Sequence, residues 1–120
     1  MEKTIIFRPP DLPPTLNGKK GLLRMHWSDR KKLKEKYMWL IREQKIPKFK
    51  PRVVVEVTNY AIRLMDWDNL AGRFKIIGDA LVGLKLLKDD NPDVVVNFTM
   101  VQYRVHKKAE VRIEFRIIEV

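Results

Sequence analysis

Residues 64–90 read LMDWDNLAGRFKIIGDALVGLKLLKDD, and the rest of the chain is organised around them. Leu70, Phe74, Ile77, Leu81 and Leu84 recur at alternating spacings of four and three, which predicts one amphipathic helix with these residues as its buried stripe. Asp68, Gly72, Lys75 and Asp79 then share the opposite face. Asp68 or Asn69 is expected as the N-cap, and Gly72 one turn later leaves room for something bulky to approach the backbone. Asp66 and Asp68, read as the end of an extended segment, point to the same side. Like charges that close are usually tolerated where a cation or a shared proton compensates them. Helical side chains lean toward the N-terminus, so Lys75 reaches back toward Asp68. The pair Asp89-Asp90 closes the stretch, which as a whole has the pattern of a divalent-metal site where a phosphate and a lysine meet.

Each of these residues also has a plainer reading. Asp68 serves as a helix cap, Asp89-Asp90 before Asn91-Pro92 as turn chemistry, and Asp79 as the i, i+4 partner of Lys75. Their joint occurrence favours the metal site. With no cysteine and only two histidines in the chain, thiolate sites, disulfides and histidine-rich sites drop out. Any metal is then a hard cation on oxygen ligands. His26 and His106 are assigned no role, and Trp27, Trp39 and Trp67 are read as core or interface anchors.

The net charge of +10 is unevenly spread: residues 1 to 52 carry 15 Lys and Arg against 5 Asp and Glu, while residues 53 to 120 carry 10 against 10. A basic first half attracts an acidic polymer or membrane surface, nucleic acid being the commoner partner. The 120 residues fit a single domain. No apolar run is long enough to span a bilayer and the first residues lack the features of a signal peptide, so the expected compartment is the cytoplasm.

Along the chain, residues 3–7 read as a strand and RPPDLPPTLNGKKG as a long loop with a basic tip at Lys19, Lys20 and Arg24, a stretch expected to be either functional or flexible surface. Ser28 is the expected N-cap of a helix reaching about Gln44 and ended by Pro47, with Leu33, Tyr37, Leu40 and Ile41 buried. Arg30, Lys31, Lys32 and Lys34 crowd the end where the macrodipole disfavours cations, either as a phosphate-binding face or as a solvated one. Residues 52–63 read as a strand buried on much of both faces. Asp93–Val105 and Val111–Val120 read as two further strands, expected to pair as an antiparallel hairpin.

Several of these residues together resemble a known family. Asp66-Trp67-Asp68-Asn69-Leu70, Lys75, Asp79-Ala80-Leu81, Gly83 and Asp89-Asp90, with Pro13-Pro14-Thr15-Leu16-Asn17 ahead of them, resemble the RusA-type Holliday junction resolvases, small homodimeric endonucleases of bacteria and phages. The resemblance implies Asp66, Asp68 and Asp90 as catalytic, magnesium-associated carboxylates, Lys75 as a required lysine, and Asp89 as a further metal-associated group. It also implies Mg²⁺ with Mn²⁺ as a substitute, a homodimer acting on four-way DNA, neither a membrane partner nor a small-molecule substrate, and the cytoplasm of a bacterial or phage-infected cell. Arg73 joins Lys19, Lys20, Arg24, Arg30, Lys31, Lys32 and Lys34 as the expected nucleic-acid contacts.

The expectation is therefore a single α/β (α+β) domain over residues 1–120, a mixed sheet flanked by two main helices, acting as a magnesium-dependent junction endonuclease. A non-catalytic nucleic-acid-binding module with a structural acidic cluster, and a metal-dependent nuclease for flaps or RNA, are the alternatives.

Overall fold

A computed structural model of the chain describes residues 1–17 and 21–120; Lys19 and Lys20 lie outside the described residues. The order of elements is β1 (Glu2–Phe7), α1 (Trp27–Glu43), β2 (Val53–Ala61), α2 (Trp67–Gly83), β3 (Val95–Arg104) and β4 (Arg112–Glu119), with short 3-10 turns at Leu22–Arg24 and Lys108–Glu110. This is a single α+β domain: one four-stranded mixed sheet in the order β1-β4-β2-β3, flanked by the two helices. Strand β2 pairs parallel with β3 and antiparallel with β4, and β4 pairs antiparallel with β1. No helix among the described residues is long and apolar enough to cross a membrane.

One face of the sheet builds the core. Ile5, Phe7, Val53, Val55, Val57, Ile113, Phe115 and Ile117 are buried at alternate strand positions and join Tyr37 and Ile41 of α1 and Leu70, Phe74, Ile77 and Leu81 of α2 in one cluster. Phe74 is the hinge of this packing, with ring centroids 5.4 Å from Phe98 and 5.7 Å from Phe115. The other face stays partly open, which corrects the reading of β2 as buried on both sides: Val54, Glu56, Thr58 and Tyr60 are only half-buried. Edge strand β1 is tied to the end of α1 by Gln44, whose amide accepts from the Ile6 N–H at 2.9 Å and donates to the Ile6 carbonyl at 2.8 Å.

The expected hairpin of the last two strands does not form. Strand β4 carries three fully buried residues, Ile113, Phe115 and Ile117, and gains most from a position with neighbours on both sides, between β1 and β2. Strand β3 instead reaches the far edge of β2 through the α2 crossover, the connection that parallel strands require.

The helix ends also differ from expectation. Helix α1 is capped by His26, whose Nδ1 accepts the Ser28 N–H at 3.2 Å, two positions before the expected Ser28 cap. It stops before Pro47, where Lys45 takes a left-handed φ of 55°. Asp66, not Asp68 or Asn69, is the N-cap of α2, so Asp68 lies inside the first turn and the two aspartates do not share an extended segment. All three tryptophans are exposed, Trp27 at 72%, Trp39 at 63% and Trp67 at 53%, and none is a core anchor.

Candidate active site

Helix α2 and the turn that follows it bring Asp68, Lys75 and Asp90 to one open cleft of about 540 Å³, whose other walls are Leu16, Ala71, Gly72 and Phe74. The Lys75 ammonium lies 3.5 Å from Asp79 and 3.9 Å from Asp90, so the i, i+4 pair expected from the spacing is present and a second carboxylate joins it. Asp68 stands in the first turn of α2, where the positive end of the helix dipole favours a carboxylate. Asp66 makes no capping hydrogen bond with its side chain, and its exposed carboxylate has no ion-pair partner among the described residues.

The acidic pair at the far end of α2 divides its labour. Asp89 accepts from the Asp90 N–H at 2.7 Å and from the Asn91 amide at 2.9 Å, while Asn91 accepts from the Asp93 N–H at 3.0 Å. Both Asp89 oxygens are thereby committed to the turn, and Asp90 is the member of the pair that lines the cleft. Gly78 makes room for it: a Cβ there would sit 3.2 Å from an Asp90 carboxylate oxygen. Burial raises the Asp90 pKa above the ordinary carboxylate value, Lys75 opposes this, and the hydrogen bond with Asp89 and the charge of Asp79 add to it.

That shift has a thermodynamic sign. A folded-state pKa above the unfolded one means that the native state holds more protons, so stability falls as pH rises through the folded pKa. Asp90→Asn removes the half-buried charge and should raise the melting temperature at neutral pH by about 1–3 °C, with a smaller gain on acidification than wild type shows. A lower melting temperature for Asp90→Asn in thermal denaturation would mean that the ion pair with Lys75 outweighs desolvation.

Gly72 leaves the room for a close approach that its spacing suggested. What approaches the helix backbone there is Leu16: a Cβ at position 72 would meet the Leu16 Cβ at 2.6 Å and its backbone nitrogen at 2.8 Å. The proline-rich segment is thus packed on α2 and borders the cleft. Thr15 and Leu16 carbonyls accept from the Leu22 and Leu23 N–H groups at 3.0 and 3.1 Å, and the Tyr37 hydroxyl donates to the Asp11 carbonyl at 2.8 Å.

Two polar strand residues that sequence reasoning passed over position the start of the site. The Gln102 side chain accepts from the Met65 N–H at 3.1 Å and donates to the Met65 carbonyl at 2.8 Å, clamping the backbone one residue before Asp66. Asn59, buried in β2, donates to the same Gln102 oxygen at 3.2 Å. An amide-bearing residue at a core-facing strand position was the available signal.

The expected DNA contacts fall into three groups. Arg24, Lys31 and Lys32 are exposed and Arg30 is half-exposed, and none of the four enters an ion pair among the described residues. Lys34 lies over Gly83 at the last turn of α2, where its charge meets the negative end of that helix dipole. Arg73 turns toward the interior near Tyr37, with a buried Nε that lacks a hydrogen-bond partner, and burial lowers its pKa.

Among the described residues, no group of three or more His, Asp or Glu side chains is gathered closely enough to hold a metal ion by protein ligands alone. Compared with known proteins, the chain matches no family model and no curated relative.

Proposed function

We propose that this protein is a magnesium-dependent endonuclease that resolves four-way DNA junctions as a homodimer. The observation that carries the reading is the single cleft along α2 that Asp68, Lys75 and Asp90 share. The resemblance of these residues, with Asp66 and the Pro13–Asn17 segment, to the RusA-type resolvases supplies the junction substrate and the paired action.

The donor set suits magnesium, which is commonly held by one or two carboxylates and completes its shell with waters and substrate phosphates rather than with an all-protein cage. Asp68 and Asp90 would hold it, with Asp66 in reserve at the cap. A cation between them also favours the ionised form of Asp90 that burial disfavours. When bound, it supplies a polarised phosphoryl oxygen and a water acidified for attack. Lys75 places positive charge where the phosphodiester develops negative charge, and Asp90 orients that ammonium. Arg24, Arg30, Lys31 and Lys32 attract and align the DNA backbone. Two nicks related by a two-fold axis need two such clefts, hence the dimer.

A second reading draws on the ion pairs themselves. Lys75 already neutralises Asp79 and Asp90, as a structural network in a non-catalytic binding module would. A gel assay with labelled four-way junction, duplex and single strand, each with and without Mg²⁺, separates the two. The nuclease reading requires Mg²⁺-dependent paired nicks in the junction; binding without any cleavage would leave the module, and preferential cutting of flaps or RNA would replace the substrate.

A further inference from the structure

On the sheet face that the helices leave open, Tyr60 of β2 stands in register between Arg112 of β4 and Tyr103 of β3. The Arg112 guanidinium lies 3.7 Å from the centre of the Tyr60 ring, and the Tyr103 ring stacks beside it at 5.5 Å between centroids and 24° between planes. The result is a row of three flat groups, cation, ring, ring, running across three strands. Arg112 is fixed in place by hydrogen bonds from its Nε to Glu114 at 2.7 Å and from Nη1 to the Glu110 carbonyl at 3.0 Å. The row is closed at the Arg112 end. At the other end Tyr103 belongs to the last strand of the sheet and is 53% exposed.

The surroundings of that open end are positive. Lys107 and Lys108 lie in the connection to β4, and Arg63 lies two residues beyond Ala61, the β2 partner of Arg104; Arg104 itself follows Tyr103 and projects from the opposite face, and none of these four makes an ion pair among the described residues. The carboxylates on this face are already engaged, Glu114 with Arg112 and both Glu2 and Glu56 with Arg116.

We propose that this corner of the sheet is a stacking site for an unpaired base of single-stranded nucleic acid, the base forming the fourth layer of the row on Tyr103 while its phosphates lie against the cations of the neighbouring loops, Arg63, Lys107 and Lys108. An aromatic face flanked by cations binds single strands with little regard to sequence, because every base has a π-face and every linkage a charge. A base inside a duplex is covered on both sides and cannot add to the row. A second copy stacking its own Tyr103 there would bring two sets of these cations together, and like charges facing across an interface oppose association. The corner lies on the sheet face away from the cleft, so the inference stands whether or not the cleft cuts DNA.

The test is fluorescence anisotropy with a labelled oligothymidylate of about 15 nucleotides and an abasic strand of the same length. Wild type should prefer the thymidylate by about tenfold, Tyr103→Phe should keep that preference, and Tyr103→Ala should bind both strands equally weakly. Equal binding of both strands by wild type overturns the proposal without reference to any variant. So does unchanged binding by Tyr103→Ala, or a Tyr103→Ala protein whose only change is half the sedimenting mass, which would assign the ring to a self-interface.

Discussion

Asp68→Asn is expected to retain junction binding and lose Mg²⁺-dependent cleavage by roughly a thousandfold, the scale of several kcal/mol of transition-state charge stabilisation. The substitution keeps the shape of the side chain. Because Asp66 and not Asp68 caps α2, no capping interaction is lost, and the melting temperature should shift only by the small dipole contribution of a first-turn carboxylate. Binding should hold or tighten, since one negative charge near the phosphates has gone. Single-turnover cleavage of a labelled junction, alongside a gel-shift titration in Ca²⁺, measures both quantities. Wild-type cleavage by Asp68→Asn in Mg²⁺ would remove the cleft from the reaction.

Gly72→Ala should destabilise the protein and slow cleavage together. Two effects compete at this position. Alanine is favoured over glycine within a helix by about 1 kcal/mol, but its Cβ would sit 2.6 Å from the Leu16 Cβ and 2.8 Å from a backbone nitrogen. Overpacking against a well-packed neighbour costs about 1–3 kcal/mol, and a backbone atom yields less readily than a side-chain tip, so the clash should win. Relief comes by lifting the Thr15–Asn17 segment off α2, which opens one wall of the cleft. Leu16→Gly in the same chain should restore part of the loss, because it removes the Cβ contact and leaves the nitrogen. Urea denaturation of the single and double variants reads the stability. A Gly72→Ala protein more stable than wild type would show that the segment does not press on the helix.

What was legible in the sequence is what has a short period. Of the stripe Leu70, Phe74, Ile77, Leu81 and Leu84, which repeats every turn, the structure buries the first four, and Leu84 is half-buried at the C-cap of α2. Lys75 and Asp79 are one turn apart and form their pair. The convergence of Asp68 and Asp90 on one cleft was anticipated by the acidic pattern, whereas the choice of Asp90 over Asp89 hangs on which oxygens Asn91 and the turn backbone occupy. The hairpin of the last strands was misread because neighbours in sequence usually pair; here the buried alternation of β4 wins a central place that no local pattern announces. His26 escaped notice as a cap because imidazole lies outside the usual Ser, Thr, Asp and Asn preference. The Leu16–Gly72 contact joins distant segments, and no window along the chain contains both.

The position of β4 also sets the timing of biosynthesis. Strand β4, made after the other three strands, fills the gap between β1 and β2, pairing Glu2 with Ile118 on one side and Tyr60 with Arg112 on the other. Until then β1 has no partner, β2 presents an unpaired edge, and the apolar face of α2 lacks the Phe115 ring that Phe74 packs against. A nascent chain of this protein therefore remains an open, aggregation-exposed intermediate until its closing strand emerges.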